Sequence, residues 1–175
     1  LCGSNGAGKS TSSLACLNGG LDFLSDDHVG IEERPDGAFT GHSVFGSTRL
    51  EPAHLLNFPT LVPLAIDSSD LVEFKSLIHV AESMPERMRA SAPISAIALP
   101  MVVDAEDSRV RPASRAEALR ALAPSTLMQM PFGATKNRFG ALARLVAGVP
   151  AFRLELGRNI DGIAPRVAEL IGQLG

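Results

Sequence analysis

Gly3-Ser4-Asn5-Gly6-Ala7-Gly8-Lys9-Ser10 is the stretch on which the reading of this chain turns. It fits the pattern of a glycine, four residues and then Gly-Lys-Ser at every position. Glycines let a backbone curl until successive N–H groups point inward at phosphate oxygens. Lys9 adds a positive charge at the β- and γ-phosphates, and the Ser10 hydroxyl can ligate Mg²⁺. A helix that starts here puts its positive dipole end on the same anion. Lys9 to Leu17 suits such a helix, and Gly19-Gly20 stops it. Gly3, Ser4, Asn5, Gly6, Ala7, Gly8, Lys9, Ser10 and Thr11 are therefore expected to hold a nucleoside triphosphate, ATP with Mg²⁺.

Outward from the loop, the composition narrows the class. The 175 residues are 45% hydrophobic and 20% charged, values that suit one globular domain. Sixteen Lys+Arg against nineteen Asp+Glu leave a net charge of −3, with no basic surplus to bind nucleic acid or an anionic membrane. Two cysteines, Cys2 and Cys16, make no disulfide framework and fit a reducing cytoplasm. The longest apolar stretch, Ile94 to Val103, falls well short of the ~20 residues that span a bilayer. The strand that should precede the loop is reduced to Leu1-Cys2, so residues 1–175 read as a single nucleotide-binding domain truncated at its N-terminus.

Further along, Leu21 to Ser25 and His28 to Glu32 read as strands, with a turn at Arg34-Pro35-Asp36-Gly37. Ala38 to Val80 reads as irregular β structure. Ile94 to Val103 reads as a buried strand whose Pro100 asks for an edge or a bulge. Ser114-Arg115-Ala116-Glu117 is a capping box at a helix start. Phe139, Leu142, Leu145 and Val146 form a helical stripe. Ala151 to Leu156 reads as a strand, and Ile163, Val167, Leu170, Ile171 and Leu174 line a final helix. Strands alternating with helices imply an α/β domain.

A phosphate loop alone does not choose a reaction; an acidic motif does. Asp26-Asp27 follows Lys9 by 17 residues, a distance that one short helix and one strand consume, so the pair can return to the phosphate end. Of two adjacent carboxylates, one can hold Mg²⁺ and the other can take the proton of an attacking hydroxyl. The competing motif is Met101-Val102-Val103-Asp104, a strand ending in an acid 95 residues after Lys9. Acids after strands are common turn formers, and the Asp26-Asp27 pair is preferred.

The run Gly3 to Ser10, then Gly20, then Leu24-Ser25-Asp26-Asp27-His28-Val29-Gly30-Ile31 resembles the catalytic domain of HPr serine kinase/phosphorylase and the HPr-kinase-like P-loop proteins. The resemblance is specific over residues 1–32 and looser over Ile94 to Met130 and Val149 to Gly157. It implies the α/β P-loop fold shared with phosphoenolpyruvate carboxykinase, a mixed sheet with flanking helices. It also implies roles for the matched residues. Lys9 and Ser10 bind phosphates and Mg²⁺, Asp26 is the candidate proton acceptor, and Asp27 is the Mg²⁺-side carboxylate, although the two acids could be exchanged. Gly157-Arg158-Asn159 is weakly similar to a Gly-Arg-Asn of the same family.

The expected function is a Mg-ATP-dependent phosphotransferase acting on a hydroxyl, foremost serine of a protein or peptide. The alternatives are an ATP-binding regulatory or scaffold module and a carboxykinase-like small-molecule enzyme. The partners are then a nucleoside triphosphate and a protein, peptide or small-molecule acceptor, with homo-oligomer formation left open. Arg49, Arg153 and Arg158 are candidates to neutralise transferred phosphate. His28 could orient a carboxylate, whereas His42, His54 and His79 lack metal-ligand spacing. The loop also resembles that of ABC transporter ATPases. Leu17-Asn18-Gly19-Gly20 cannot serve as their signature, because it ends the loop's own helix.

Overall fold

The computed structural model describes residues 1–67, 75–128 and 135–174. Parts of the expected irregular β region and of the stretch ending at Met130 lie outside them. In chain order the elements are α1 (Lys9–Asn18), β1 (Val29–Glu33), β2 (Phe39–Ser43), β3 (Thr48–Leu50), α2 (Pro52–Leu55), β4 (Ala65–Asp67), β5 (Ser76–Ile78) and α3 (Val80–Ser83). They continue as β6 (Ser91–Pro93), β7 (Ile97–Val102), β8 (Arg109–Ala113), α4 (Arg115–Met128), α5 (Thr135–Gly148), β9 (Ala151–Leu156) and α6 (Ile163–Leu174). The chain is thus mixed α/β, and no helix of the described residues is long and apolar enough to cross a membrane.

Among the described residues the strands form three small sheets rather than one. β1-β2-β6 and β3-β5-β4 are antiparallel, and β7-β9-β8 is mixed, with β9 parallel to β7 and antiparallel to β8. The mixed sheet expected from the sequence is therefore one of three. Its middle strand, β9, has the predicted bounds, and its alternating side chains serve two cores. Leu154 and Leu156 join Leu14, Leu17 and Ile163, from α1 and α6, on one face. Ala151 joins Ile97, Ala118, Leu142 and Leu145, the last three from α4 and α5, in a second core. Period-two alternation thus sets the layering of helices on both sides of this sheet. Burying a leucine such as Leu154 contributes about 1.5–3 kcal/mol.

Several local readings hold. α1 begins at Lys9 and ends where the Gly19 N–H bonds the Ala15 carbonyl at 2.9 Å. Arg34 to Gly37 makes the turn between β1 and β2, with the Arg34 N–H donating to the Ala38 carbonyl at 2.8 Å. The capping box closes both ways at the start of α4. The Ser114 N–H donates to the Glu117 carboxylate at 2.9 Å, and the Glu117 N–H donates to the Ser114 hydroxyl at 3.3 Å. Pro100 sits in β7, an outer strand of its sheet, where a missing N–H costs no ladder bond between sheet strands.

Others do not. Leu21 to Ser25 is no strand: among the described residues only Phe23 pairs, in an isolated parallel bridge to Met88. The chain beyond it turns because the Ser25 and Asp26 side chains capture backbone N–H groups of neighbouring segments. Phe139 is 51% exposed and Ile171 56%, while their stripe partners Leu142, Leu145, Val146, Ile163 and Leu170 are buried. In α5 the exposed residue opens the stripe, whereas in α6 Ile171 is exposed between the buried Leu170 and the half-buried Leu174, so the covered face is narrower than the apolar stripe.

Two expectations follow. A Cβ at Gly157 would collide with the Glu106 carbonyl and lie 2.6 Å from the Asp107 carbonyl carbon, whereas one at Gly172 in α6 meets nothing. Gly157→Ala is expected to lower stability by about 1–3 kcal/mol through overpacking. Gly172→Ala should raise it by about 0.5–1 kcal/mol through helix propensity. Urea midpoints of the two variants check both signs. Separately, the Ser114 N–H and hydroxyl, together with Arg153, push the Glu117 carboxyl down from 4.5 to about 2. The native state favours the ionised form, so this contribution is present above pH 4.5 and is lost as pH falls towards 2. The melting temperatures of the wild type and Glu117→Gln should differ at pH 6 and converge on acidification.

Candidate functional site

Gly8 is the N-cap of α1 and has φ 92°, a left-handed conformation that only glycine adopts without strain. It also has no room for a side chain, because a Cβ there would run into Leu156 Cδ1 and lie 3.8 Å from Val102 Cγ2. The phosphate-loop candidate is therefore seated on the C-terminal ends of β9 and β7. Upstream, the Cys2 N–H donates to the Ala98 carbonyl at 2.9 Å, so Leu1-Cys2 runs beside β7.

The loop is polarised for an anion. A glycine cap brings no side-chain acceptor to the first turn of α1. Ser12 N–H is the first to bond, to the Gly8 carbonyl at 2.9 Å. Among the described residues the backbone N–H groups of Lys9, Ser10 and Thr11 have no acceptor. Lys9 folds back over the loop, and its Nζ donates to the Gly3 carbonyl at 3.0 Å and the Ser4 carbonyl at 2.9 Å. An ammonium has three donors, so one remains for a ligand. Uncapped amides and a tethered cation together suit phosphate oxygens. Ser4, Asn5, Gly6 and Ala7 form the turn between, closed by an Ala7 N–H to Ser4 carbonyl bond at 3.3 Å.

The acid pair is built from a different segment. Asp26 Oδ2 accepts from the Thr48 hydroxyl at 2.6 Å and from the Arg49 N–H at 3.3 Å, and Asp26 Oδ1 accepts from the Asp27 N–H at 3.0 Å. Asp27 has φ 53°, the one described non-glycine residue with a positive value. Its carboxylate has no hydrogen-bond or ionic partner among the described residues. β3, which holds Asp26, packs against α1. No hydrogen bond joins Asp26 or Asp27 to residues 3–11 among the described residues. His28 meets Phe45 edge to face, with ring centroids 6.0 Å apart, and touches neither carboxylate by a hydrogen bond.

Asp104 stands two residues beyond Val102, whose side chain flanks Gly8. Its carboxylate pairs with Arg158 at 2.6 Å, and Arg158 also reaches Glu106 at 3.5 Å. The segments after β7 and β9 are laced together. The Arg158 N–H donates to the Ala105 carbonyl at 3.0 Å and the Gly157 N–H to the Ser108 hydroxyl at 3.1 Å. Of the three candidate arginines, Arg153 is bound to Glu117 and Arg158 to Asp104, whereas the Arg49 guanidinium has no partner among the described residues. Thr48 carries no motif or spacing signal, and sequence reasoning did not single it out.

No group of three metal-binding side chains occurs among the described residues. The Ser10 hydroxyl and the Asp27 carboxylate are each an oxygen donor of the kind Mg²⁺ takes, an ion that needs only one or two protein ligands and completes its shell with phosphate oxygens and water. Burial pushes the Cys16 thiol up to about 11, which makes it inert, and neither Cys2 nor Cys16 is in a disulfide. A cavity of about 320 Å³ lies at the other end of α1, against Ala15, Asn18, Gly19 and Ala164, away from the loop. Comparison with family models and with curated proteins finds no match for this chain.

The seating of the loop makes a graded expectation. Gly6 has φ 78° but open space around it, while Gly8 has both a positive φ and a blocked Cβ. Gly6→Ala should cost about 1–2 kcal/mol from backbone strain alone. Gly8→Ala should cost more, by a further ~1–3 kcal/mol. Equilibrium unfolding of both variants tests the order, and equal losses would show that Leu156 yields.

Proposed function

We propose that the chain is a Mg-ATP-dependent phosphotransferase of the HPr-serine-kinase-like P-loop type, acting on a hydroxyl, foremost serine of a protein or peptide. The observation that carries the reading is the tethered Lys9 ammonium beside the three uncapped amides of α1. Gly3 to Thr11 would cradle the phosphates, and Ser10 and Asp27 would hold Mg²⁺. The ion, when bound, would neutralise charge on the phosphates. Asp26 would take the proton of the attacking hydroxyl, a contribution typically worth ~10²–10⁴ in rate. Catalysis in this chemistry is chiefly positioning and charge neutralisation, which a preformed loop supplies. The reading places the reaction in a cytoplasm, the reducing compartment that free thiols suit.

One observation favours the alternative of a nucleotide-binding module without transfer: the acid pair makes no hydrogen bond to the loop among the described residues. Calorimetry and labelled ATP separate the two. Lys9→Ala should weaken Mg-ATP binding by tenfold or more, and unchanged affinity would contradict the site. Asp26→Asn should keep ATP binding and lose transfer of γ-label to serine in candidate acceptors. Tight binding by the wild type with neither transfer nor phosphate release would support the module.

A further inference from the structure

Thr48 is 1% exposed, in a strand whose neighbouring inward residue is Leu50 and whose cross-strand partner is Ile78, both buried. Packing at such a position would be met by valine, which has nearly the same shape. A hydroxyl buried there needs a hydrogen-bond partner, and packing alone does not explain its presence. The partner is Asp26 Oδ2, at 2.6 Å, a short charge-assisted bond. Arg49 N–H adds a second donor to the same oxygen, and Asp27 N–H fixes the other. Three donors from two segments therefore hold one carboxylate in one orientation. Its neighbour Asp27 is left without a partner among the described residues, on a backbone with φ 53°. Left-handed non-glycine residues cost of order 1–3 kcal/mol and tend to persist where the surroundings over-determine them. The two adjacent acids are thus physically unequal: one is clamped and the other is open.

From this we infer that Thr48 is a positioning residue, which orients Asp26 for the acceptor hydroxyl while Asp27 stays open to the metal-bound phosphates. The inference rests on the phosphotransferase reading and resolves which acid plays which part. Because β3 also packs on α1, Thr48 couples the orientation of Asp26 to the helix that carries the phosphate loop. In the step itself the acceptor oxygen bonds to the γ-phosphorus, the bond to the β-phosphate bridging oxygen breaks, and the hydroxyl proton goes to Asp26. With water as acceptor the same balance releases inorganic phosphate and ADP.

The test compares wild type, Thr48→Val and Thr48→Ser in Mg-ATP affinity and in the rate of phosphate release from ATP to water. Thr48→Val keeps shape and loses the donor; Thr48→Ser keeps the donor. Thr48→Val should bind Mg-ATP within about twofold of wild type and release phosphate ~10–100-fold more slowly, the usual loss when an orienting partner is removed. Thr48→Ser should restore most of the rate. If Thr48→Val does not fold, Thr48→Ala makes the same comparison. A rate equal to wild type without the hydroxyl, a parallel loss of affinity and rate, or no rescue by serine each overturns the role of Thr48 while leaving the phosphotransferase reading intact. Wild-type protein that does not bind Mg-ATP, or binds it with neither transfer of γ-label to serine nor release of phosphate, overturns that reading and the role of Thr48 with it.

Discussion

The contact between Gly8 and the end of β9 is the constraint on which the rest of the site depends. A left-handed residue without a side chain lets the loop turn into α1 while lying directly on Leu156 and near Val102. That single seating does three things. It places the N-terminus of α1 at the C-terminal end of two parallel strands, where α/β proteins commonly bind ligands. It leaves the first-turn amides uncapped, since glycine offers no acceptor. It also brings the segments after β7 and β9, with Asp104 and Arg158, to the same end of the sheet.

The packing beneath explains why the seating is rigid. β9 is paired on both sides and contributes to two cores, Leu154 and Leu156 packing with α1 and α6 and Ala151 with α4 and α5. Its last residues therefore have little freedom to retreat from the loop. The capping box of α4 fastens the second face to the strand, since Glu117 accepts from Ser114 and also from Arg153 of β9 at 2.7 Å. A side chain that begins as a helix cap thus becomes a tie between layers. Asp26 is held separately from β3, a strand that itself packs on α1.

What was legible in the sequence was local. The glycines and lysine of the loop, the stop at Gly19, the Ser114 cap and the apolar run of β9 each depend on neighbours within a few residues, and each appears with nearly the expected bounds. What was not legible depends on pairings far apart in the chain. Asp26 is held from Thr48, 22 positions away, and no spacing announces that bond. The approach of the end of β7 to the loop, through Val102 and Gly8, is likewise written in neither segment alone. The division into three small sheets has the same cause: each strand is short, and which strand it pairs with is set by the tertiary fold rather than by its own alternation. Phe139 and Ile171 fit their stripes by period and are exposed, because a stripe does not say how much of it the neighbouring elements cover.

The central claim is that the loop before α1 is an anion cradle for a triphosphate. Its most direct test is a Mg-ATP titration followed by the backbone amide resonances of the full chain. Saturable shifts concentrated at Gly6 to Ser12, greatest at the three uncapped amides of Lys9, Ser10 and Thr11, are the predicted result. Shifts absent at those amides at millimolar Mg-ATP, or confined to the cavity at the far end of α1 around Asn18 and Ala164, would contradict it.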